Sequence, residues 1–395
     1  MRSKTIDDIV FTFLVAFVLT ACHSPARISG RLENTEGKNQ TIYLIQPETL
    51  WEVGASYFGK VIDSAITDED GRFEFQNLQE AKDSLLLEIA VQPDGKRPNY
   101  FQTDNPIKSN YMPIFWNGKE DIRITSKLNG FQNSFSIEHP STVNKALMHL
   151  RDINQKAYQT YLDGRRWDVE NGSELLEKEH AISQYQNELI HFADSTEYLV
   201  PAMVALRWVS PVNDYERVPE FLVRQCAKWN NKQPYQPFVK QLCEFSETSN
   251  LPVLVGDEFP NLKLPTLSKD TLNLQDQLGS KLTIIDLWAS WCAPCRKENR
   301  EVLAPLWDEY HDRGLQIIAY GLESDETAWK AATAKDGANR WLQASDLQGD
   351  DAPFLKKIRV QTIPANFILN DQGVVIAKNV HGDALIQLVK NQINE

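Results

Sequence analysis

A chain of 395 residues is too long for one ordinary hydrophobic core and points to two or three domains. Its net charge of −13 argues against nucleic acid as a partner and against an electrostatic hold on an acidic membrane surface. The cysteines are Cys22, Cys226, Cys243, Cys292 and Cys295, with no second Cys/His cluster, and the histidines are scattered. A zinc site therefore lacks half of its ligands, and neither a metal nor a cofactor is expected.

Residues 1–21 read as a signal peptide. Arg2 and Lys4 make a basic start, and Ile9 to Ala21 make a short apolar core. That core is too short to span a bilayer, which takes about twenty apolar residues, and has the length of a signal-peptide core. Asp7 and Asp8, between the basic start and the core, are atypical. Leu19-Thr20-Ala21-Cys22 resembles a bacterial lipobox. The resemblance implies lipid attachment at Cys22, with residues 22–27 as a lipidated N-terminus and linker. Several acyl chains on one residue anchor more firmly than one. His23 is compatible with sorting to the outer membrane. The implied location is the cell envelope, periplasm-facing and lipid-anchored; the alternative is an ordinary secreted protein with a chance cysteine.

From 28 to 139 the apolar residues alternate as in strands, at Ile28–Leu32, Thr41–Ile45, Arg72–Phe75 and Ser84–Ile89. Asp68-Glu69-Asp70-Gly71 and Pro93-Asp94-Gly95 are turn signals between them. The pattern predicts a small antiparallel β-domain, a sandwich or barrel. Ala65 to Phe73 resembles the hairpin of an uncharacterised β-domain found ahead of redox modules in many bacterial lipoproteins. It carries no catalytic constellation, so a spacer or docking role is expected. Tyr100, Phe101, Tyr111, Phe115 and Trp116 read as core and edge packing rather than a binding face.

Residues 141–250 read as a helical domain. Ala146, Leu147, Leu150, Ile153 and Ala157 recur at helical spacing, as do Ile182, Tyr185, Leu189, Ile190 and Phe192. Pro211, Pro219, Pro234 and Pro237 break the later helices. Cys226 and Cys243 lie on two of those helices. They either pair, as an oxidising compartment permits, or remain buried free thiols. Sequence does not supply the Cα separation that decides.

In residues 251–395, Leu282 to Trp288 is a buried strand containing Asp286, and Arg296 to Tyr310 has helical spacing. Trp291-Cys292-Ala293-Pro294-Cys295 therefore sits where a strand hands over to a helix. Unpaired N–H groups and the positive end of the helix dipole favour a thiolate there. Cys-x-x-Cys in this setting reads as a dithiol that opens and closes a disulfide. Cys292, at the helix start, should be the more exposed sulfur and the nucleophile, with Cys295 resolving the mixed disulfide. Leu315–Tyr320 is the next strand and Glu326–Ala334 the next helix, followed by a short helix at Phe354–Arg359. Ala365–Leu369 and Val374–Ala377 form a hairpin, and Ala384–Ile393 a closing helix. This order suits a mixed sheet flanked by helices.

Trp288-Ala289-Ser290-Trp291-Cys292-Ala293-Pro294-Cys295, Ile363-Pro364 and Asn366-Phe367-Ile368-Leu369 resemble the thioredoxin-like proteins, and among them the extracytoplasmic TlpA-like thiol–disulfide oxidoreductases. The resemblance implies an α/β thioredoxin-like C-terminal domain. It implies a cis bond at Pro364, with the Ile363 backbone pairing with substrate; the alternative is a trans turn proline. It also implies a buried carboxylate at Asp286 that takes the proton of Cys295, against a strand-end Asp that reaches solvent. Trp288 and Trp291 would shield the dithiol and offer an apolar rim. Glu298, one turn past Cys295, reads as a solvated helix face; the alternative is a group that tunes the thiols. Arg300 stands where thioredoxin has a kinking proline, which bears on the helix shape. The implied function is a membrane-anchored oxidoreductase reducing protein or peptide disulfides with electrons from a membrane donor, in some relatives for cytochrome c maturation. The alternatives are an oxidase or isomerase using the same residues, and a binding lipoprotein with a redox-like scaffold.

Overall fold

The computed structural model describes residues 27–35, 38–76, 78, 85–93, 95–168 and 174–394. The expected signal peptide and Cys22 lie outside the described residues. None of the described helices is long and apolar enough to cross a membrane.

The N-terminal strands are β1 (Ile28–Glu33), β2 (Thr41–Gln46), β3 (Lys60–Ile66), β4 (Arg72–Glu74), β5 (Leu85–Val91), β6 (Tyr111–Trp116), β7 (Ile122–Lys127) and β8 (Ser136–Ile137). They form two four-stranded sheets, β4-β1-β7-β8 and β3-β2-β5-β6. Pairing is antiparallel except between β1 and β7, which run parallel. The long excursion through the other sheet makes that possible, since parallel neighbours need a long crossover. β6 was not legible as a strand because Pro113 interrupts it. At the edge of its sheet a missing N–H is tolerated.

Six helices follow: α1 (Phe131–Ser134), α2 (Thr142–Tyr161), α3 (Leu175–Ser195), α4 (Leu199–Val209), α5 (Pro219–Lys232) and α6 (Pro237–Phe245). α2 starts at Ser141, whose side chain accepts the Asn144 N–H. α5 and α6 start at prolines, which lack the N–H that a first turn leaves unpaired. α4 is buried on every side from Pro201 to Val209. Its residues join Ile28, Leu44, Ile89 and Leu222 in one apolar cluster that runs through sandwich and helices together. Cys226 and Cys243 are bonded, with their Cα atoms 5.0 Å apart, and tie α5 to α6. The alternative of free thiols is thereby excluded.

The C-terminal part has its own cluster. A hairpin, β9 (Lys263–Pro265) with β10 (Thr271–Asn273), precedes a sheet of β11 (Leu282–Trp288), β12 (Leu315–Gly321), β13 (Leu342–Ala344), β14 (Ala365–Asn370) and β15 (Val375–Lys378). Its order is β13-β12-β11-β14-β15. β11 is central, parallel to β12 and antiparallel to β14, and buried throughout. That explains its near-continuous apolar run, interrupted only by Thr283 and Asp286. The helices are α7 (Ala293–Glu298), α8 (Ala304–Tyr310), α9 (Glu326–Lys335), α10 (Pro353–Ile358) and α11 (Gly382–Asn394). A π-helical turn, Asn299–Leu303, joins α7 to α8. The sequence predicts one regular helix there; the wider turn falls just before Pro305, where a regular backbone hydrogen bond is lost. This is a thioredoxin-like fold, preceded by a mostly antiparallel β region and a helical region, as the sequence predicts.

Candidate active site

The site grows from the C-terminal end of β11. Ala289, Ser290 and Trp291 turn the chain, and Cys292 takes the position just before the first residue of α7. Cys292 and Cys295 are joined in a disulfide with Cα atoms 5.4 Å apart. The Cys292 sulfur accepts the Cys295 N–H at 3.3 Å, and its carbonyl accepts the Arg296 N–H at 3.0 Å. One first-turn N–H, that of Cys295, thus points at the Cys292 sulfur, which with the helix dipole steadies a thiolate after reduction. The expected difference in exposure is small in this oxidised form, with Cys292 at 5% and Cys295 at 3%. Trp291, at 65% exposed, supplies an apolar rim. Trp288 does not: it is wholly buried, and its ring N–H has no partner among the described residues.

Asp286 is buried and its Oδ2 has no hydrogen-bond partner among the described residues. Burial, and then the charge of Glu298, hold its carboxyl well above the usual carboxylate range. It is not a strand-end residue reaching solvent. Glu298 corrects the reading of a solvated helix position. It is 4% exposed, its Oε2 lies 2.8 Å from Nδ1 of His381, and its Oε1 accepts the Gly382 N–H at 3.2 Å. The start of α11 folds over it. Because Glu298 sits one turn beyond Cys295, the two share a face of the helix, and the Asp286 carboxyl senses that face from below.

Two further carboxylates escaped the sequence. Glu323, just past β12, accepts hydrogen bonds from the Ser290 N–H and, at 2.8 Å, from the Ser290 hydroxyl. Burial raises its pKa while the Ser290 bonds oppose the rise. It fixes the turn that leads into Trp291 and Cys292. The one available signal was its place after β12, whose end lies beside that of β11 (Trp288 opposite Gly321). Asp336, with a fully buried side chain, receives Arg296 through Nε at 2.6 Å and Nη2 at 2.9 Å, and Arg300 through Nη1 at 2.9 Å. Arg300, in place of a kinking proline, thus helps hold the active-site helix.

The Ile363–Pro364 bond is cis. β14 starts at Ala365, which lies opposite Leu287 of β11, so this loop reaches the same sheet end as the dithiol. Ile363 makes no hydrogen bond through its N–H or C=O among the described residues. No group of three or more potential metal ligands occurs among the described residues.

The buried disulfide lies at a strand-to-helix junction, with buried Asp286 on the strand before it and buried Glu298 on the helix after it, an arrangement suited to thiol–disulfide exchange. Residues 254–388 match the Redoxin family model. Over 120 residues, 30% of this chain and 68% of the relative, the chain is 31% identical to the thioredoxin-like protein YneN of Bacillus subtilis. Over 123 residues, 31% of this chain and 67% of the relative, it is 30% identical to the thiol-disulfide oxidoreductase ResA of Bacillus thuringiensis. A solved thiol-disulfide oxidoreductase from Bacteroides fragilis is similar to 34% of this chain over 98% of its own length, at 28% identity and a TM-score of 0.32. Through its C-terminal part the chain belongs to the thioredoxin-like thiol–disulfide oxidoreductases.

Proposed function

We propose that the protein works outside the cytoplasm, held to a membrane by lipid on Cys22, and reduces disulfides in proteins or peptides. The observation that carries this is the Cys292–Cys295 disulfide at the start of α7, directly after the strand that holds the buried Asp286. In the reduced protein, the Cys292 thiolate attacks one sulfur of a substrate disulfide. The substrate S–S bond breaks, one substrate thiolate leaves and takes a proton from water, and a mixed disulfide forms. Cys295 passes its proton to Asp286 and attacks the Cys292 sulfur, releasing the second substrate thiolate. The pair is then oxidised, as it stands here, and two electrons from a membrane dithiol donor reset it. Trp291 and the Ile363–Pro364 loop border the site where substrate docks. The bridge between Cys226 and Cys243 supports an oxidising compartment, and Leu19 to Cys22 supports the anchor.

The test is insulin reduction by the full chain. Wild type is expected to reduce insulin, Cys292→Ala to be inactive, and Cys295→Ala to accumulate a mixed disulfide visible by mass. A midpoint potential near that of thioredoxin, about −270 mV, is expected. One near about −120 mV, that of strong oxidants of this class, would overturn the reducing direction. Insulin reduction by the Cys292→Ala variant would overturn the mechanism.

A further inference from the structure

The loop beside the dithiol is fastened by two residues from outside the domain that contains it. Between α4 and α5 the chain passes through Glu216 and Arg217. The Glu216 carboxylate accepts the N–H of Gln361 at 2.9 Å and the N–H of Thr362 at 3.1 Å. Arg217 donates through Nη2 to the Pro364 carbonyl at 3.0 Å and through Nη1 to Oδ1 of Asn379 at 2.8 Å. Main-chain groups on both sides of Ile363 are therefore pinned, while those of Ile363 itself find no partner among the described residues.

The pinning pair is itself held. Arg217 forms an ion pair with Glu179 of α3. Buried Arg207 binds the carbonyls of Val53, Ser210 and Pro211 at 3.1, 2.9 and 2.9 Å, and also Asn213. Tyr215 donates its hydroxyl to the Leu206 carbonyl at 3.0 Å. In the first turn of α5, Glu220 pairs with Lys378 at 2.8 Å and accepts the Val255 N–H at 3.1 Å. The segment thus spans a firm frame from the sandwich to the redox domain.

A carboxylate that accepts two successive main-chain N–H groups makes charge-assisted bonds, which are stronger than neutral ones. Holding the flanking residues this way removes the entropy that the loop would otherwise lose when a partner binds. A main-chain N–H and C=O left free at the entrance to a strand is an edge on which an extended peptide pairs. We propose that Glu216 and Arg217 are positioning residues that display the Ile363 main chain for an extended peptide flanking the target disulfide. The helical region thereby makes the enzyme prefer peptide and protein disulfides over small ones, which need no main-chain pairing. The proposal rests on the exchange chemistry given above for Cys292 and Cys295.

The test compares two substrates in the full chain: insulin and the small aromatic disulfide dithiobis-nitrobenzoate. Glu216→Ala and Arg217→Met are expected to raise KM for insulin about tenfold at unchanged kcat. Glu216→Gln, which keeps one carbonyl acceptor, should recover much of that loss. The rate on the small disulfide and the midpoint potential of the dithiol should stay at wild-type values. Equal losses on both substrates, a shifted potential, or an unchanged insulin KM would overturn the proposal. Wild-type protein that reduces neither substrate would instead remove the exchange chemistry on which it rests.

Discussion

Asp286→Asn removes a titratable group from the strand that leads to the dithiol and keeps its shape. The side chain is buried, its Oδ2 has no hydrogen-bond partner among the described residues, and its carboxyl is held well above the ordinary value of 3.8 by burial and then by Glu298. A carboxyl raised in this way binds its proton more tightly in the folded than in the unfolded chain. Its stabilising contribution is complete below the unfolded pKa and is lost as pH climbs through the folded one. In that window the wild-type protein should lose up to about 1.4 kcal/mol of stability per pH unit through this group. The variant should lack that slope and gain on wild type as pH rises. Urea unfolding of the oxidised protein from about pH 4 to pH 9 measures both curves. In rapid mixing, loss of the proton acceptor should slow release of the mixed disulfide by about a hundredfold or more. The first attack, made by Cys292 before Cys295 ionises, should change little. Parallel stability curves would refute a raised pKa at Asp286, and equal slowing of both steps would refute its role, in the ionised form, as proton acceptor.

Removal of Arg296 by substitution to Ala should cost about 2 kcal/mol in urea unfolding, because the buried Asp336 loses a two-point partner and keeps only Arg300. Arg300→Ala, which removes a side chain 45% exposed, should cost less than about 1 kcal/mol. The double variant Cys226→Ala/Cys243→Ala opens a loop of sequence separation 17. The chain-entropy cost is about 3 kcal/mol, and insulin reduction at low temperature should be unchanged. Loss of reduction without loss of stability would mean that this bridge takes part in the chemistry.

Much of the site was legible because it is local. A Cys-x-x-Cys pair between an apolar strand and a helical stretch places two sulfurs at a helix start whatever lies around them. The alternation of β11 puts Asp286 on the same strand face as Ile284 and Trp288. These features depend on spacing along a few residues, and spacing is what a sequence displays. The environment of Glu298 was not legible. It was set as a solvated position by its place on the helix, yet it is buried because the start of α11, far along the chain, brings His381 and Gly382 to it.

The sequence by itself determined the redox pair, the order of elements that builds the C-terminal fold, and the kind of chemistry to expect. Only the tertiary structure decided that Cys226 bonds Cys243, that Arg300 shares Asp336 with Arg296, and that Glu216 and Arg217 grip the loop around Ile363. The physical reason is that each of these depends on which buried partner satisfies a charge, a thiol or a main-chain N–H. Such partners are chosen by packing between distant segments, and distance along the chain carries no trace of that choice.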